Sequence, residues 1–362
     1  MRLLVFNLAM DADDHVLGFT TAWVNALAER CERVTVITMR AGRIAVSPNV
    51  VVHSVGKERG RSRLRRAMEF FRILRKVLAE ERVDACFSHM IHVFPILAWP
   101  MLRLRRIPIV LWYAHGHVPL LLRLATLLVD RVVTSSASGF RIATPKRRII
   151  GQGIDTRRFA PVVTEAKQEF VLLSVGRISR VKRLDAALAL LGVLPERAPD
   201  GRVFRLRVVG SPLTPDDVQY AGELKAMAGR LAISSRVTFE PAVSFDTVAS
   251  VYPQADLFIS HSQTGSMDKA VLEAMSCGVP VLTSNPAYRA PLAAALRDDV
   301  VVDDNDAATW KRRVLEIAAR SRTQRAEMGV RAQAFVELEH SLDSLAGRII
   351  GQCSDLVKAG PA

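Results

Sequence analysis

Two α/β domains, each on a parallel sheet, are the fold class this sequence predicts. Short apolar runs alternate with helical segments along the chain, the pattern that parallel strands joined by crossover helices produce. The alternation comes in two sets, parted near residues 158–169 by a stretch with Pro161 and few large apolar side chains. The chain has 362 residues, enough for two separate cores.

In the first set, strands are expected over residues 3–8, 34–38, 50–52, 85–88, 109–112, 131–134 and 148–150. Helical periodicity runs over 21–29 and 64–80. In the second set, strands are expected over 171–175, 205–209, 236–239, 256–260, 279–283 and 300–302. The expected division is 1–157 for a first domain, 158–169 for a linker, 170–337 for a second domain, and a last helix over 338–362. Apolar stretches near 92–102 and 118–129 contain Pro or Arg and are too short to span a bilayer.

Composition is that of a globular protein: 49% apolar and 24% charged. Cys31, Cys86, Cys277 and Cys353 lack paired spacing, which argues against a disulfide framework or a zinc site and suits a reducing cytoplasm. The first residues, MRLLVFNLAM, read as a core strand rather than a signal peptide. Net charge is +14, and ten cations crowd residues 57–82, with Arg103, Arg105 and Arg106 beyond. Such a surface attracts anionic membrane. Aromatic residues are not interleaved with the cations, so nucleic acid is not an expected partner. The expected location is cytoplasmic, peripheral at the inner face of the cytoplasmic membrane.

Two motifs carry chemistry. VLLSVG at 171–176 is an apolar strand ended by Gly176, then Arg177, a turn, Lys182 and an apolar helix from Leu184. Glycine lets the backbone turn closely. Arg forks onto phosphate oxygens and Lys adds a point charge, so the pair suits a diphosphate. About ninety residues on, a strand at 256–260 leads through a polar loop into a short helix starting near Ser266 or Asp268 and ended by Gly278. Its free N–H groups favour an anion. Glu273 interrupts the apolar run at 270–275, among Lys269, Ala270, Ser276 and Cys277. That face suits a carboxylate accepting hydrogen bonds from ligand hydroxyls.

These motifs make the chain resemble the retaining, nucleotide-sugar-dependent glycosyltransferases of family 4. The matches are SVGRISRVKRLDAAL at 174–188, LRVVGS at 206–211, VYPQADLFIS at 251–260 and VLEAMSCGVPVLTS at 271–284, with WYAHGH at 112–117 and IIGQGIDTRRFAP at 149–161. The resemblance implies the GT-B fold: two Rossmann-like domains facing a central cleft, the final helix crossing back to the first. It implies transfer of a hexose, with retained configuration, from a UDP- or GDP-sugar to a glycan or lipid-linked acceptor, in bacterial cell-surface polysaccharide or glycolipid synthesis. Carried over by position, Gly176, Arg177 and Lys182 hold the donor diphosphate and Glu273 the ribose, while His115 lies near the transferred sugar. With Arg177 and Lys182, His115 makes up the expected catalytic set. The acceptor is expected near Gly18, Phe19 and Thr20, after the first strand.

One position departs from the resemblance. The family usually carries a second glutamate eight residues before the ribose-binding one, and here that position is Gly265. Either Gly265, Ser266 and Met267 hold the sugar through backbone N–H groups with help from Asp268, or catalysis is impaired. No metal or other cofactor is expected, although Asp11 with Asp13 and Asp304 with Asp306 spell acid-x-acid. Rival readings are a GT-B epimerase or phosphorylase and a catalytically silent membrane-associated scaffold. A dinucleotide-dependent dehydrogenase is disfavoured because the first βα turn lacks Gly-x-Gly-x-x-Gly.

Overall fold

The computed structural model describes every residue except His15, Ala166, 303–305, Pro361 and Ala362, and leaves out the side chain of Ala295. It divides into two compact units, Met1–Asp155 with Ser341–Ala362, and Thr156–His340.

The first unit runs β1 (Arg2–Asn7), α1 (Phe19–Ala28), β2 (Arg33–Thr38), β3 (Val50–Ser54), α2 (Arg63–Glu80), β4 (Ala85–His89), α3 (Val93–Leu104), β5 (Ile109–Trp112), α4 (Leu120–Leu128), β6 (Arg131–Thr134) and β7 (Arg147–Ile149). The strands form one parallel sheet in the order β3-β2-β1-β4-β5-β6-β7. Its strands are apolar on both faces because helices cover both. Phe70, Leu74, Phe94, Ala98, Leu122 and Ala125 place α2, α3 and α4 on one face. Trp23 and Leu27 of α1 cover the other, beside Leu345, Ile349 and Cys353 from the end of the chain. The apolar stretches near 92–102 and 118–129 form the helices α3 and α4.

The second unit runs β8 (Glu169–Val175), α5 (Leu184–Val193), β9 (Val203–Val209), α6 (Pro215–Arg230), β10 (Val237–Glu240), β11 (Leu257–Ser260), α7 (Lys269–Ser276), β12 (Val281–Thr283), α8 (Ala294–Val300), α9 (Ala307–Ala319) and α10 (Arg322–His340); α11 (Leu342–Ala359) then joins the first unit. The sheet is parallel in the order β10-β9-β8-β11-β12. α5, α6 and α9 share its main core through Leu188, Leu224 and Trp310. α7 packs against β11, β12 and α10. Gly278 and Gly329 allow that approach, since a Cβ on Gly329 would sit 1.8 Å from the Gly278 carbonyl oxygen.

Three expectations shift. Residues 300–302 form no strand: Val300 closes α8, and Val301 contributes a single bridge to Thr283. Residues 158–169 belong to the second unit, because Phe159 is buried there and its carbonyl accepts a hydrogen bond from the Ser276 hydroxyl. The last helix starts at Leu342 rather than 338, because α10 continues to His340 and Ser341 caps a new helix, its hydroxyl accepting from the Ser344 N–H.

Candidate active site

In the second sheet the strand order reverses between β8 and β11. Open α/β sheets bind ligands at such a switch point, outside the carboxyl ends of the strands. Both expected motifs emerge there on adjacent strands. After β8, Gly176 takes φ +136, a region open to glycine. The backbones of Gly176 and Gly210 are close enough that a Cβ on Gly210 would lie 1.9 Å from the Gly176 carbonyl oxygen. Arg177 follows, its side chain 45% exposed and its Nε 3.9 Å from Asp217 Oδ2. Asp217 is itself fixed in a capping box with Thr214. A 3-10 turn, Arg180–Lys182, brings Lys182 round, and Arg183 at φ +50 starts α5.

The loop after β11 is pinned from several sides. Gly265 takes φ +72. The Ser266 carbonyl accepts from Asn285 Nδ2 at 2.8 Å, and the Tyr288 hydroxyl donates to the Asp268 carbonyl at 2.6 Å. Met267 is buried. Asp268 occupies the N-cap position of α7, yet its side chain makes no cap. It reaches instead to Lys182, whose Nζ donates to Oδ2 at 2.5 Å. The helix therefore starts one residue past Asp268, and the two motifs are joined by an ion pair.

Glu273 faces the same end. The Tyr252 hydroxyl donates to its Oε2 at 2.5 Å. Burial pushes the Glu273 carboxyl up, opposed by the Tyr252 hydrogen bond and by Lys269. Lys269 keeps its Nζ away from solvent, and burial lowers it while Glu273 works the other way. Tyr252, Asp217, Asn285 and Tyr288 were not singled out from sequence. Tyr252 does lie inside VYPQADLFIS, but its partner is 21 residues away. His261 opens this loop, buried and tilted against Trp310 with ring centroids 3.8 Å apart. Burial and then the Arg183 charge push it down to about 3, so its imidazole is neutral.

The remaining expected residues lie in the first unit. His115 follows β5 and is exposed, its Nδ1 accepting from the His117 N–H at 3.0 Å. Gly18 precedes α1, and Phe19 meets the Trp23 and His89 rings edge-on. Thr20 is buried, with its hydroxyl between the Ala9 and Leu17 carbonyls, so it is occupied by its own backbone. Asp13 takes the Arg43 guanidinium at 2.8–2.9 Å, and Asp11 accepts from the Arg43 N–H. Asp304 lies outside the described residues, and Asp306 caps α9. Among the described residues no three His, Cys, Asp or Glu gather as a metal site.

The basic segment is partly paired. Glu69 takes Arg61 and Arg72, and Asp84 takes Arg82. Arg63, Arg65 and Arg75 are exposed with no acidic partner among the described residues. On the same side of the sheet, Leu104 is 86% exposed, Leu120 82% and Leu127 74%. Among the described residues no helix is long and apolar enough to cross a membrane.

The chain is similar to known proteins. The family model for group 1 glycosyl transferases matches residues 155–335, half of the chain, and the chain belongs to that family. It is 31% identical over 190 residues to the D-inositol 3-phosphate glycosyltransferase of Mycobacterium sp. (strain KMS), covering 49% of this chain and 41% of that protein. The counterpart in Geodermatophilus obscurus is 28% identical over 249 residues, covering 64% and 54%. The chain thus spans about half the length of the curated relatives it matches. Among solved structures, Anabaena Alr3699/HepE in complex with UDP aligns with a TM-score of 0.74 at 15% identity, covering 98% of this chain and 100% of that one. Sucrose-phosphate synthase from Thermosynechococcus elongatus aligns at 0.76 and 15%, covering 99% and 100%. At such identities the likeness establishes the fold, which is GT-B.

Proposed function

We propose that the chain transfers a hexose, with retained configuration, from a UDP- or GDP-sugar to a glycan or lipid-linked acceptor in cell-surface polysaccharide or glycolipid synthesis. The observation that carries this reading is the meeting of Arg177, Lys182, Asp268 and Glu273 at the switch point of the second sheet. Two cations beside a glycine-ended strand suit a diphosphate, and an inward carboxylate suits ribose hydroxyls. In the proposed step the bond from the anomeric carbon to the diphosphate breaks and a bond to the acceptor oxygen forms on the same face. The departing diphosphate takes the acceptor's proton. Arg177 and Lys182 balance the charge that develops on it, so no metal is required of the step. His115 is assigned to the sugar and the surroundings of Gly18 and Phe19 to the acceptor. Asp268 and the backbone of residues 265–267 take the place of the missing glutamate.

A thermal-shift panel of UDP, GDP, ADP and their sugars tests the donor. A ligand at a hundred times its dissociation constant adds about 2.7 kcal/mol to stability. One nucleotide family should raise the melting temperature, and a flat panel would sink the reading.

We also propose that the first unit rests on anionic bilayer at the inner face of the cytoplasmic membrane. The exposed cations of α2 support this, as do the exposed leucines of α3 and α4 on the same side. Each near-surface cation contributes on the order of 1 kcal/mol, screened by salt. Sedimentation with anionic vesicles should weaken at high salt, and Arg63→Glu with Arg65→Glu and Arg75→Glu should weaken it further. Equal binding to neutral vesicles would count against the idea.

A further inference from the structure

The second unit has another concentration of positive charge, at the opposite end of its sheet from the site above. A cavity of about 960 Å³ opens beside the residues that lead into the strands. Lys167 precedes β8, Arg202 precedes β9, Asp256 precedes β11, and Pro280 precedes β12. The start of α10 adds Arg322 and Arg325, and Arg320 lies just before it. Five cations thus face the cavity, against Glu165, Asp200 and Asp256.

The acids are unevenly shared. Arg202 takes both aspartates, Asp200 at 2.8 Å and Asp256 at 2.7 Å. Arg325 is left 4.0 Å from Asp256, although its side chain is only 11% exposed. Both guanidiniums lie by one ring, Arg202 at 5.0 Å and Arg325 at 5.4 Å from the Phe170 centroid. Arg320 has Asp299 at 3.5 Å, and the other three rest on backbone carbonyls. Lys167 donates to the Gln254 carbonyl, Arg322 to the Thr164 carbonyl, and Arg325 to the Arg320 carbonyl at 2.5 Å. A carbonyl satisfies a donor and leaves the charge uncompensated. Burial and then the neighbouring Arg202 push Arg325 down, and burial chiefly does the same to Lys167.

We infer that this cavity is a second anion site, distinct from the donor site, and that it takes a small molecule carrying a di- or polyphosphate. The size falls within the roughly 300–1,000 Å³ of small-molecule pockets. Planar guanidiniums with uncommitted N–H groups suit phosphate oxygens. Strands β8 and β11 separate the two ends, so one ligand cannot occupy both. The inference stands whether or not the chain transfers sugar.

Inorganic pyrophosphate is the probe, followed by isothermal titration. The background is Arg177→Ala with Lys182→Ala, which removes the donor-end cations. That variant should still bind about one equivalent. Adding Lys167→Ala and Arg322→Ala should weaken binding at least tenfold, while adding Arg63→Ala and Arg65→Ala, an equal charge loss on the first unit, should leave it unchanged. Arg322 is exposed and Lys167 half-buried, and thermal unfolding reports whether the fold survives. Should the four-site variant unfold, Arg322→Gln alone in the same background must still weaken binding. No binding in the Arg177→Ala, Lys182→Ala background overturns the inference, and so does equal weakening by both pairs.

Discussion

The cations at the two ends of the second sheet meet different partners, Arg202 with its two aspartates and Arg320 beside Asp299 excepted. At the carboxyl end, Lys182 sits on Asp268 and Arg177 lies beside Asp217. At the amino end, Lys167 and Arg322 lean on backbone carbonyls, and Arg325 does so with Asp256 at 4.0 Å. A carboxylate partner balances a cation's charge, and an arriving anion must compete with it. A carbonyl partner only orients the cation. An anion arriving at Lys182 must therefore displace a carboxylate, and one arriving at Lys167 or Arg322 need not. A carboxylate on a side chain such as Asp268 can rotate away, whereas the Gln254 carbonyl belongs to a folded turn.

The sharpest way to break the comparison is Arg177→Ala. Removing one preorganised charge donor costs about 10²–10³ in rate, roughly 3–4 kcal/mol. Turnover should nearly vanish while the melting temperature stays close to that of the parent. Near-normal turnover would mean that the carboxyl end does not hold the donor.

A second test asks whether the loop after β11 is as rigid as its packing implies. His261 is depressed to about 3 by burial and Arg183, from about 6.5 in the unfolded chain. As pH falls below 6.5 the unfolded state takes up the proton first, so stability drops down to pH 3 and is constant above 6.5. The slope is about 1.4 kcal/mol per pH unit, or about 2 kcal/mol by pH 5. His261→Phe keeps a ring on Trp310 and should flatten that part of the profile in denaturant titrations. An unchanged slope would show that the ring reaches water in the folded state.

The smallest effect, and the finest discrimination, comes from Asp268→Asn. Asp268 stands at the N-cap of α7, and an acid near a helix N-terminus adds about 0.3–1 kcal/mol through the dipole. If Asp268 holds the sugar, turnover falls while affinity for the bare nucleoside diphosphate stays constant. If it only competes for Lys182, that affinity rises and turnover follows. Unchanged turnover and affinity would falsify both roles.

Much of this site could be read without coordinates. The run VLLSVG identifies β8 and its closing glycine, and Arg177 and Lys182 follow it where the sequence places them. The apolar run broken by Glu273 identifies α7 and its inward carboxylate. The fold class follows from alternation, and nearly every expected strand appears within two or three residues of its place. Where reading failed, the local signal was ambiguous. Residues 300–302 are apolar like a strand, yet Val300 completes the last turn of α8 and no ladder forms beyond one bridge. That the Thr20 hydroxyl is held by the Ala9 and Leu17 carbonyls is likewise invisible in the local sequence.

The sequence by itself determined which residues are apolar with period two or 3.6, where glycine permits a tight turn, and which cations follow a strand. Those are local properties, set by a few neighbouring side chains. Only the tertiary structure decided that Lys182 meets Asp268, 86 residues on, that Tyr252 holds Glu273, and that Arg202 takes the aspartate Arg325 needs. The reason is strand order. β8 lies beside β11 although β9 and β10 intervene in the chain, so the loops after them meet at one end and the residues before them at the other. No local preference encodes that neighbourhood; it is settled when the whole sheet buries both its faces.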